Sequence, residues 1–178
     1  MKAPKTLRLD ELTQDPRNAR IHTVPNLEAI AKSLKRFGAG RSIVLDSEGV
    51  VRAGNGTLQA ARQAGFEKVM VVEADGKTLI AVRRPDWSSA EATAYAIADN
   101  RASELGSWDK EVLQGIFAEL APQDEELRLL DATGFSEQEL AAILATAPEA
   151  QPEPDGDENG VPATTFVKSC PKCGHQWE

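Results

Sequence analysis

Apolar and polar positions along the chain group into short strand-like and helix-like stretches separated by turn residues. Leu7, Leu9 and Leu12 are spaced for a short extended segment that closes at the turn pair Asp15-Pro16. Behind Pro25, the residues Leu27, Ile30, Ala31 and Leu34 recur at helical spacing. Asn26 is placed to cap that helix, Glu28 and Lys32 pair on its outside, and Gly38 ends it. Residues 42–46 read as a buried strand and Ser47-Glu48-Gly49 as a turn. Val50-Val51 starts a second strand that leads into Gly54-Asn55-Gly56-Thr57 and a helix over residues 58–64.

Two further strands, 69–72 and 79–82, flank Ala74-Asp75-Gly76-Lys77, whose Asp-Gly pair predicts a hairpin that completes a small mixed sheet. Ser88 with Glu91, and Ser136 with Glu139, have capping-box spacing and predict helix starts. Between them, Val112, Leu113, Ile116, Phe117 and Leu120 form one side of a helix over residues 109–120. The pattern predicts an α+β fold: a small mixed sheet with helices over residues 1–106, then a helical C-terminal subdomain over 107–145. Residues 146–165, rich in Pro, Gly and acidic side chains, offer almost nothing to bury and predict a disordered linker before a tail at 166–178.

Composition narrows the setting. A chain of 178 residues accommodates one ordinary domain with some tail, and its 41% apolar and 27% charged residues are those of a water-soluble globular protein. No apolar run approaches the roughly 18 residues of a membrane span, so no membrane partner is expected. The start, MKAPKTLRLDEL, has no apolar stretch behind its basic residues, which makes the cytoplasm the expected compartment. The net charge of −8 argues against a protein that coats DNA through bulk electrostatics. That average hides an asymmetry, since residues 1–65 carry a net +5 and the remainder a net −13. Arg17, Arg20, Lys32, Lys35, Arg36, Arg41 and Arg52 are the candidates to face an anion, and the same spacing also suits a solvated surface.

The chemistry centres on Gly54-Asn55-Gly56-Thr57, where a strand hands over to a helix. Glycine permits positive φ and close approach of a ligand to the main chain, and the free N–H groups at a helix start favour phosphate. Thr57 adds a hydroxyl. A G-x-G turn also serves for shape alone. Three separated segments, however, occur in an informative order: Asp15-Pro16-Arg17-Asn18-Ala19-Arg20, the helix ending Ser33-Leu34-Lys35-Arg36-Phe37-Gly38 with the glycine turn beyond it, and Asp99-Asn100-Arg101 late in a long helix. Together they resemble the ParB/sulfiredoxin superfamily, in particular its ParB N-terminal-like members of phage and bacterial type, over about residues 5 to 115.

That resemblance implies a nucleotide-binding protein, for CTP or ATP with Mg²⁺, in a DNA-linked process such as partition, phage DNA processing or regulation. It implies that Gly54, Asn55, Gly56 and Thr57 wrap phosphates, that Arg20 supplies charge with Arg101 close by, and that Asn100 faces Mg²⁺. Asp99 would lie beside metal and phosphates, and it is the candidate general base if the fold carries an enzyme such as a nucleotide hydrolase, phosphotransferase or nuclease. A third reading is a non-catalytic interaction module. The chain departs from its relatives in having Thr57-Leu58 where many ParB proteins have arginines and sulfiredoxins a cysteine, so sulfiredoxin chemistry is not expected. Residues 129–144 have a helix-glycine-helix rhythm without a basic recognition helix, so DNA would be met directly or through a partner protein. The tail, with Cys170-Pro-Lys-Cys173-Gly-His175, resembles one knuckle of a zinc ribbon. Zn would then take Cys170 and Cys173, with His175 as a third candidate that in similar knuckles often lies outside the ligand set. A second copy in a homodimer or a partner protein could complete the site; a redox-active C-x-x-C and a metal-free remnant are the other readings.

Overall fold

The computed structural model describes residues 3–145 and, further along, the two short strands 168–169 and 176–177. The chain divides into two units, Met1–Ala145 and Thr146–Glu178. The first is a mixed α+β domain whose strands are short and distributed over several small sheets. Strand β1 (Lys5–Arg8) is followed by a 3₁₀ turn, Leu9–Glu11, then β2 (Thr13–Gln14) and β3 (Arg20–Ile21). Helix α1 (Val24–Phe37) leads to β4 (Val44–Leu45), β5 (Val50–Ala53), helix α2 (Asn55–Gln63) and β6 (Lys68–Val71). Strand β1 pairs antiparallel with β6, while β5 lies between a parallel β2 and an antiparallel β4.

Leu9 and Leu12 turn inward from this sheet region and meet Leu34 of α1 and Val51, Leu58, Ala60 and Ala61 around α2. Leu58 and Val51 are fully buried, and each such aliphatic side chain contributes on the order of 1.5–3 kcal/mol. Helix α1 starts earlier than its apolar spacing predicts. Thr23 is the cap, its hydroxyl accepting the Asn26 N–H at 3.3 Å, and Asn26 is drawn inside. Gly38 closes the helix as expected, at φ +74° with its N–H on the Leu34 carbonyl.

The expected hairpin over 69–82 forms only its first half. Asp75 does make the turn, its carboxylate accepting the Lys77 and Thr78 N–H groups at 2.8 Å each. Residues 79–82 then form no strand, and Leu79 is 94% exposed. The reason lies just beyond. The Arg84 guanidinium donates to the Phe37 carbonyl at the end of α1, the Trp87 indole donates to the same oxygen at 3.0 Å, and Trp87 packs against Phe37 and Tyr95. These anchors carry the chain across to α1 instead of back along β6. The expected buried strand at 42–46 is likewise reduced to β4, with Val44 exposed.

Helix α3 (Ser89–Glu104) opens on the capping box read from the sequence: the Ser88 hydroxyl accepts the Glu91 N–H at 3.2 Å and the Glu91 carboxylate accepts the Ser88 N–H at 3.1 Å. These bonds hold the Glu91 carboxyl below its ordinary 4.5, the Ser88 backbone N–H first and its hydroxyl second. The box therefore adds stability above about pH 4.5 that is lost as pH falls through the lower folded value. Ser88→Ala is expected to cost about 1 kcal/mol, read as a lower urea midpoint at unchanged slope.

Strand β7 (Ser107–Trp108) pairs antiparallel with β3, and α4 (Lys110–Leu120), α5 (Asp124–Leu127), α6 (Leu129–Thr133) and α7 (Glu137–Ala145) complete the unit. A second apolar cluster joins Leu113, Phe117 and Leu129 to Ala19, with Phe135 edge-on to Phe117. Among the described residues no helix is long and apolar enough to cross a membrane. In the second unit, β8 (Lys168–Ser169) and β9 (Gln176–Trp177) pair antiparallel. The expected linker at 146–165 and the zinc ligands Cys170, Cys173 and His175 lie outside the described residues.

Candidate functional site

A cleft of about 300 Å³ opens where β3, the start of α2 and one face of α3 converge. Its floor is the helix start at the glycine turn. Gly54 caps α2 at φ +96°, ψ +26°, in the left-handed region, and a Cβ there would stand 2.5 Å from Ile43 Cγ2. A glycine cap has no side chain to bond the first N–H groups of α2. Gly56, at the second helical position, is overlaid by the ring of His22, whose Nδ1 and Cε1 would lie 2.5 Å from a Cβ at 56. Gly54, Gly56 and Thr57 all line the cleft.

The walls carry charge of both signs. Arg20 stacks on Trp108, its guanidinium carbon 5.1 Å from the ring centre, and donates to the Ser103 carbonyl at 2.7 Å. Arg41 pairs with Asp99 at 3.1 Å. Tyr95 lies beside this pair; burial pushes its phenol above the ordinary 10.0, and Asp99 adds to the effect. On α3 the lining residues Tyr95, Ala98, Asp99, Ala102 and Ser103 follow the spacing of a single helical stripe.

That stripe separates residues that the sequence had grouped. Asp99 faces the cleft, whereas Asn100 and Arg101 are exposed and do not line it; Arg101 pairs with Glu104 at 2.6 Å. Asn55 is only 4% exposed and works inward, its Oδ1 accepting the Asp15 N–H at 3.0 Å and its Nδ2 donating to the Val51 carbonyl at 2.9 Å. It ties the Asp15-Pro16 turn to the glycine turn rather than presenting its amide to a ligand. Of the basic candidates, Arg20 and Arg41 reach the cleft. Arg17 pairs with Glu119, Lys32 with Glu28, Arg36 with Glu91, and Arg52 bridges Asp15 and Asp46.

Sequence reasoning missed His22 and misjudged Asn26. Asn26 is 2% exposed, with its amide bonded to His22 Nδ1 at 2.7 Å and to the Ala102 carbonyl at 2.6 Å. A lone His before a helix and an Asn near a helix start carry no signal of this pairing; only the fold brings residue 102 to residue 26. Among the described residues no group of three or more His, Cys, Asp or Glu side chains could hold a metal ion.

Fold and site together define a small α+β domain with a cleft built on a glycine turn. No model of a protein family matches the chain, and no solved structure does. The ParB-like nuclease domain-containing protein YnaK of Escherichia coli (strain K12) is 31% identical over 70 residues, a stretch covering 39% of this chain and 80% of that relative. The chain belongs to the ParB-like domain family.

Proposed function

We propose that the cleft takes the phosphates of a nucleoside triphosphate, CTP or ATP, together with Mg²⁺, and that the protein serves a DNA-associated process. The observation that carries this reading is the uncapped start of α2, which opens at Gly54 and Gly56 onto a cleft flanked by Arg20 and Arg41. Helix-start N–H groups and forked guanidinium donors are the two protein groups best matched to phosphate oxygens. Mg²⁺ fits this setting as an ion shared with phosphates: Asp99 is the cleft's carboxylate, and one carboxylate with phosphate oxygens and water is an ordinary Mg²⁺ environment. Asn100, turned outward, is not placed to help. An arriving phosphate competes for Arg41 and releases Asp99 toward the cation.

Calorimetric titration of the protein with CTP, ATP, GTP and UTP plus Mg²⁺ tests this directly. Selective binding is expected, weakened about tenfold in Arg41→Ala through loss of one charge-assisted contact. A folded sample that binds none of the four nucleotides would remove the reading and leave an interaction module as the better account.

A second reading, an enzyme on the same site, is favoured by the position of Asp99 inside the cleft and by the relative's designation as a nuclease-domain protein. Release of phosphate or cleavage of DNA, lost in Asp99→Asn with binding retained, would establish it. Ligand binding without either product would leave the protein a nucleotide-dependent binder.

A further inference from the structure

His22 is held in one defined protonation pattern by a relay of three groups. The Ala102 carbonyl can only accept a hydrogen bond, so its 2.6 Å contact fixes the Asn26 amide with Nδ2 toward α3. That turns Oδ1 toward His22. Oδ1 also can only accept, so the 2.7 Å contact places a proton on Nδ1 of the imidazole. Asn26, 2% exposed between them, has no other orientation that satisfies both neighbours. Neutral His22 is thus the Nδ1–H tautomer, with its lone pair on Nε2. Nε2 has no hydrogen-bond partner among the described residues, and no unpartnered side-chain nitrogen there is fully buried, so it is open to solvent. The ring lines the cleft and lies over Gly56 in the first turn of α2.

We propose that His22 is a proton-linked phosphate contact: an anion entering the cleft beside its ring is bound with uptake of one proton at Nε2. This rests on the phosphate reading of the cleft. A neutral Nε2 presents a lone pair to phosphate oxygen and repels it, whereas the protonated nitrogen donates a charged hydrogen bond. The charges facing the ring come from several elements. The cleft that the ring lines holds charge of both signs: Arg20 of β3, Arg41 of the loop after α1 and the positive end of α2 on one side, Asp99 of α3 on the other, with the neutral Tyr95 phenol beside Asp99. An incoming phosphate adds negative charge next to the ring and tips this balance toward protonation.

The test uses the full chain labelled with ¹⁵N in its histidine rings, of which there are two, with His22→Gln to assign the signals. The probe is inorganic pyrophosphate. At pH 7.5 the free protein is expected to show His22 as the Nδ1–H tautomer, and saturating pyrophosphate to convert it to imidazolium. Relative to His22→Gln, in which the probe's own titration cancels, wild-type affinity is expected to rise by up to about tenfold per pH unit as pH falls through the imidazole range. An Nε2–H tautomer in the free protein, or pyrophosphate bound with His22 still neutral, overturns the proposal and leaves the phosphate site standing. Pyrophosphate that does not bind a folded sample at all overturns both.

Discussion

Asn55→Leu is expected to lower the stability of the domain by about 3 kcal/mol, seen as a fall of roughly 10 °C in Tm. The leucine side chain matches asparagine in length and removes no apolar contact, so the loss isolates two hydrogen bonds. Without the amide, the Asp15 N–H and the Val51 carbonyl lose their partners, and Val51 is fully buried. Each unsatisfied buried group costs on the order of 1–3 kcal/mol. If Asn55 served only to meet a ligand, Tm would stay within 1–2 °C of wild type and only binding would fall; that outcome would reverse the inward assignment of this residue.

Gly56→Val is expected to reduce nucleotide binding at least about a hundredfold, equivalent to about 2.7 kcal/mol, with the far-ultraviolet circular dichroism unchanged. A Cβ at 56 would press into the His22 ring at 2.5 Å, and the ring cannot move aside without breaking its bond to Asn26. The branched side chain would also fill part of the cleft that Gly56 lines. Gly115→Ala in α4 is the control: a Cβ there meets nothing within 4 Å, so binding should be unaltered and stability should rise by about 0.5–1 kcal/mol. Binding by Gly56→Val within tenfold of wild type would place the ligand elsewhere.

Much of the fold was legible because it is written locally. The Ser88/Glu91 and Ser136/Glu139 boxes close as their spacing predicts, Gly38 ends α1, and the strand-to-helix turn at Gly54 forms where its glycines stand. What escaped depends on partners remote in sequence. The strand expected at 79–82 was lost to the pull of Arg84 and Trp87 on the end of α1, 47 and 50 residues away. Asn26 meets Ala102 across 76 residues and Asn55 meets Asp15 across 40, and no periodicity records either contact. Within Asp99-Asn100-Arg101 the difficulty was different. In α3 only Ala102 is buried, and small and polar side chains are mixed around the helix, so the sequence could not show that Asp99 alone of the three faces inward.

The last turn of α3 is held in an unusual way. The carbonyls of Ala102 and Ser103 in that turn, and of Leu105 just past it, accept bonds from Asn26, Arg20 and Thr23, three side chains of a single short segment. Helix ends ordinarily fray first, and their amides exchange with solvent soonest. Here unwinding α3 from its C-terminal end would pull on Arg20 and on the Asn26 support of His22, both of them at the cleft. The rate of deuterium uptake at residues 102–106 therefore serves as a gauge of the cleft's integrity, slowing when it is filled and quickening when any one of the three side chains is cut back.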